Sequence, residues 1–83
     1  MLEKEITQTL LHKLMNLRII GNKHTSFDNL PKGFPKHLGK IVKQTAINLL
    51  KRQLLLSKQT SYGLEVSLNP RKLNEIEEIL DKE

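Results

Sequence analysis

The chain contains no cysteine. That one absence removes disulfides, cysteine-based zinc sites, thiol catalysis and thiol redox sensing, and it fits a reducing compartment. Tryptophan is absent too, and the aromatic residues are two Phe and one Tyr, so few rings could stack on unpaired bases. No apolar run approaches the roughly 18 residues of a membrane span. Glu3 and Glu5 stand where the positive region of a signal peptide belongs. The expectation is a cytoplasmic protein with no membrane contact.

Catalytic and metal motifs are equally scarce. His12, His24 and His37 form no His-Glu-x-x-His pair, so no metal is expected. Gly33, Gly39 and Lys40 resemble a phosphate loop, but the spacing is one residue too long and Ile41 replaces the hydroxyl residue that would hold Mg²⁺. Glu75, Glu77, Glu78 and Asp81 read as the solvated face of a helix. The sequence implies no cofactor and no enzyme.

What is present is aliphatic and basic. The 83 residues hold sixteen Leu and seven Ile, enough for one small core and hence a single domain over 1–83. The net charge is +5, unevenly spread. Residues 29–64 carry seven Lys or Arg and no acid, whereas residues 65–83 carry six acids against three bases. An acid-free stretch of this length points to an anionic partner.

Periodicity predicts a helix over about 2–20, with Leu2, Ile6, Leu10, Leu14, Leu17 and Ile20 on one face and Gly21-Asn22 as its cap. A thinner second stripe, Leu11, Met15 and Ile19, has two readings: packing beneath the last helix, or a homodimer seam in which Leu11, Met15 and Ile79 meet a second copy. Thr25 and Asp28 resemble a capping box opening a short helix over about 26–31. Pro35 suits the first position of a third helix over about 35–52. On that helix Leu38, Ile41, Val42, Thr45, Ala46, Leu49 and Leu50 fall inward. Lys36, His37, Lys40, Lys43, Gln44, Asn48 and Lys51 fall outward, with Ile47 interrupting them. Residues 54–69 read as a hairpin turning at Thr60-Ser61-Tyr62-Gly63, with Leu64, Val66 and Leu68 inward and Glu65 and Ser67 outward. Asn69-Pro70 then opens a last helix over about 70–82, carrying Leu73, Ile76, Ile79 and Leu80 inward.

The predicted class is α+β, mostly helical. His24-Thr25-Ser26-Phe27-Asp28-Asn29-Leu30, Gly33-Phe34-Pro35-Lys36-His37, the long third helix into Leu54-Leu55-Leu56, and Tyr62 through Pro70 together resemble the winged helix-turn-helix superfamily. The resemblance implies a three-helix helix-turn-helix core, a two-stranded β-hairpin wing and a C-terminal helix. It also implies a double-stranded DNA partner and a role in transcription regulation, with the third helix in the major groove. Lys36, His37, Lys40, Lys43 and Gln44 would then be near base edges, and Lys32, Lys51 and Lys58 near phosphate. Tyr62 at the wing tip would stack on a sugar or base, or else pack on the hairpin base, the commoner fate of a tyrosine beside a turn glycine. Two other readings remain open: an adaptor module that docks through its acidic last helix, and an RNA binder using the same basic surface.

Overall fold

A computed structural model of the chain describes residues 3–81. The elements run α1 (Glu3–Asn16), β1 (Thr25–Ser26), a 3-10 turn (Phe27–Asn29), a second 3-10 turn (Lys36–Leu38) leading directly into α2 (Gly39–Lys51), β2 (Leu55–Thr60), β3 (Gly63–Leu68), a third 3-10 turn (Pro70–Lys72) and α3 (Leu73–Asp81). The class is α+β and mostly helical, with one antiparallel sheet in the order β1-β3-β2. Leu2 and Lys82, expected at the outer ends of the first and last helices, lie outside the described residues.

α1 buries Ile6, Leu10, Leu11 and Leu14 at helical spacing. It stops at Asn16, well before the expected end at Ile20. Arg18 adopts a left-handed φ of 55°; its N–H donates to Met15 O, and Ile19 N donates to Leu14 O, both at 3.0 Å. This pair of bonds is a Schellman cap, and it turns Ile19 back into the core. Gly21, expected to cap the helix, pairs elsewhere: its N–H donates to Leu68 O, while Leu68 N donates to Ile19 O at 2.8 Å. Ile20 forms a parallel bridge with Leu68. The connector is thus a short rung on the end of β3. α2 ends the same way, with Gln53 at φ 63°, Gln53 N on Leu50 O and Leu54 N on Leu49 O.

Thr25-Ser26, expected to open a helix, forms a strand instead, with Thr25 opposite Val66 and Ser26 opposite Glu65. The expected hairpin is therefore part of a three-stranded sheet. The cap falls one residue later than the Thr25–Asp28 reading: Ser26 Oγ accepts from Asp28 N at 3.2 Å, and a single 3-10 turn follows. Pro35 stands before the third helix as its cap, at φ −54° and ψ 141°, rather than inside its first turn.

β2 and β3 meet through a two-residue turn, Ser61-Tyr62, with Thr60 opposite Gly63. Gly63 has φ 117°, a conformation that disfavours any side chain. Thr60 Oγ1 donates to Gly63 O and accepts from Tyr62 N. Val66 and Leu68 face the core as expected, but Ser67 does not face solvent. It is fully buried, and its hydroxyl donates to Gly21 O of the connector at 2.9 Å.

Asn69 joins three elements. Its Oδ1 accepts from Arg71 N at 3.0 Å, with Pro70 at the first helical position as the sequence predicts. Its Nδ2 donates to Gln53 O at 2.8 Å, and its own N–H donates to Leu54 O. α3 lays Leu73, Ile76, Ile79 and Leu80 on the core, and Gln8 Nε2 of α1 donates to Ile79 O. Leu38, Val42, Ala46 and Leu49 complete the core from the third helix. Thr45, buried beside them, has a hydroxyl with no hydrogen-bond partner among the described residues. Ile41, expected inward, is 44% exposed, because the buried arc of α2 is centred on Val42, Thr45, Ala46 and Leu49. No helix among the described residues is long and apolar enough to cross a membrane.

Candidate nucleic-acid interface

The outer face of the third helix is built by the same periodicity that builds its core face. With Val42, Thr45, Ala46 and Leu49 inward, the opposite side carries Lys40, Gln44, Ile47 and Lys51 at i, i+4, i+7 and i+11. Lys36 and His37 extend this face through the preceding 3-10 turn and are exposed. The side chains of Lys36, His37, Lys40 and Lys51 make no hydrogen bond or ion pair among the described residues. The three lysine charges are therefore open to an anion.

Other expected site residues are engaged. Lys43 Nζ pairs with Asp28 Oδ1 at 3.0 Å and lies 5.9 Å from the Phe27 ring centroid. It ties α2 to the 3-10 turn and is not a free cation. Gln44 Nε2 donates to Asn48 Oδ1 at 3.2 Å, and Asn48 Nδ2 donates to Glu3 Oε1 at 2.9 Å. The Gln44 amide is thereby oriented from α1. Arg52 lies 3.7 Å from Glu75, and Lys58 stands opposite Glu65 in the ladder. The stretch that is acid-free in sequence thus has acids beside it in space. Of the cations in that stretch, Lys36, Lys40 and Lys51 run along the third helix without an ion pair among the described residues, and Lys32 and Lys58 lie off it, also unpaired. Lys32 is exposed, and its carbonyl accepts from Lys13 Nζ.

Tyr62 is 94% exposed at the hairpin tip. The expectation that it packs on the hairpin base is overturned: a two-residue turn leaves no room for a ring to fold back. Of the candidate seam residues, Leu11 is fully buried and packs in the core, while Met15 and Ile79 are partly buried against the same core.

Three features of this surface were not read from the sequence. Ile41 is exposed on α2, beside Ile47, which the periodicity already sets outward; a narrower buried arc on the helical wheel would have revealed Ile41. The Asp28–Lys43 pair and the Glu3–Asn48–Gln44 chain join distant segments and leave no local signal. No group of three or more His, Asp or Glu among the described residues is placed to hold a metal ion. Comparisons with protein-family models, curated proteins and solved structures gave no match.

Proposed function

We propose that this chain is a winged helix-turn-helix domain that binds double-stranded DNA and acts as a small transcriptional regulator. In this reading the third helix lies in the major groove, and the β2–β3 hairpin is the wing. The order of helix, short strand, 3-10 turn, helix and hairpin, with β3 central, supports the assignment. The observation that carries it is the row of exposed, unengaged Lys36, Lys40 and Lys51 with Gln44 on one face of α2. A helix with side chains is about 10–12 Å across, and the major groove is about 12 Å wide. Residues in the first half of the helix, Lys36, His37, Lys40 and Gln44, approach base edges, as in helix-turn-helix docking. Lys51 and Lys58 neutralise phosphates. Tyr62, fully presented at the wing tip, meets the sugar-phosphate edge or a base.

The test is the anisotropy of a labelled random duplex as salt is varied. Neutralising about three to five phosphates gives a log–log slope of roughly −3 to −5. Single-stranded DNA and RNA compete poorly if the reading holds. A folded Lys36→Glu/Lys40→Glu variant that binds as well as the parent overturns this surface. Absence of duplex binding even at low salt overturns the function.

A further inference from the structure

We infer, resting on the duplex-binding reading above, that α2 recognises A·T base pairs, with Gln44 on an adenine and Ile41 and Ile47 against thymine methyl groups. A single exposed isoleucine needs no explanation. Here two are exposed, at 44% and 37%, each three residues from Gln44 and therefore its neighbour on the helix surface. Three residues advance a helix by about 4.5 Å, close to the ~3.4 Å step between bases along one strand. The triplet can follow consecutive base pairs.

Its chemistry matches one kind of pair. Gln44 Nε2 donates to Asn48 Oδ1, and Asn48 in turn to Glu3. Nε2 keeps its second hydrogen and Oε1 keeps its acceptor sites. That donor and acceptor complement adenine N7 and N6 in the major groove, and an apolar side chain complements the thymine C5-methyl. A cytosine amino group against either isoleucine would instead lose its water without gaining an acceptor. Lys40 and Lys51, on the same face without partners among the described residues, supply the charge that selects a polyanion over an apolar protein surface.

The experiment compares three labelled duplexes of about 16 bp, roughly one and a half turns. One is built of A·T pairs in mixed order, one is the same with deoxyuridine for every thymidine, and one has G·C pairs only. The wild-type chain binds the A·T duplex about fourfold more tightly than the A·U duplex for each methyl that is buried, and the G·C duplex least. Ile41→Ala/Ile47→Ala, at exposed positions, keeps its thermal unfolding, and its preference for A·T over A·U falls below about twofold. Equal binding of A·T and A·U duplexes by the wild type, or an unchanged preference in the double variant, overturns the inference and leaves duplex binding standing. Failure to bind any of the three overturns the duplex-binding reading itself, and a partner that docks on Ile41 and Ile47 would then be a protein.

Discussion

Asn69 offers the sharpest test of how the β2–β3 hairpin is anchored, because its one amide does two separable jobs. Its oxygen caps the turn into α3 through Arg71 N, and its nitrogen donates to Gln53 O, at the exit of α2. The residue is 8% exposed, so water does not readily replace either bond. Asn69→Asp keeps the cap, since Asp and Asn are comparable there, but sets a carboxylate oxygen against the Gln53 carbonyl. Leaving that acceptor unsatisfied costs about 1–3 kcal/mol. Asn69→Ala loses the cap as well, about 1 kcal/mol more. For a domain of this size each kcal/mol lowers Tm by about 4–8 °C. Thermal and urea unfolding followed by circular dichroism should therefore place both variants below wild type, with the urea m-value unchanged. An Asp variant within about 0.5 kcal/mol of wild type, less than a typical net hydrogen bond, would refute the role given to the Gln53 bond.

Other consequences are as direct. Gln53→Gly relieves a left-handed side-chain residue and should stabilise the fold by about 1 kcal/mol; an unchanged or lower urea midpoint would count against the strained cap. Thr45→Val removes a buried hydroxyl that has no partner among the described residues and should stabilise by about 1 kcal/mol, whereas a loss would mean the hydroxyl is satisfied. Asp28→Asn frees Lys43 and removes an acid beside the basic face of α2. Stability should fall by less than about 1 kcal/mol, as for an exposed pair, while the log–log salt slope of duplex binding steepens by about 0.9. A slope unchanged by this substitution would leave Lys43 outside the interface.

Elements with a local signature were legible in the sequence. The apolar period gave α1 and the third helix, Gly63 and the alternation of Leu64, Val66 and Leu68 gave the hairpin, and Asn69-Pro70 gave the start of the last helix. What escaped was non-local. Arg18 and Gln53 end their helices in a conformation that sequence rules assign to glycine, because the return of Ile19 and Leu54 to the core outweighs the cost. Thr25-Ser26 is too short to show alternation, and only β3 makes it a strand. The candidate surface followed the same division. Lys36, His37, Lys40, Gln44 and Lys51 fall on one face by helical period alone, and all five are exposed. The engagement of Lys43 by Asp28 and the orientation of Gln44 from α1 depend on contacts that span the fold.

The central position of β3 also fixes an order of events. β1 pairs only with β3, and the connector leaving α1 pairs with Leu68 at the end of the same strand. During synthesis α1, its connector and β1 all emerge before the strand they pack on or pair with. The β2–β3 hairpin, closed by two residues, can form within about 1–10 μs of emerging. The earlier segments must then return to it across long loops, the slower step. The β2–β3 hairpin is therefore more than an arm of the finished domain: it is the template on which the N-terminal half is completed. A chain cut before Gly63 should leave the translation machinery with its helices formed at most in part and with no sheet.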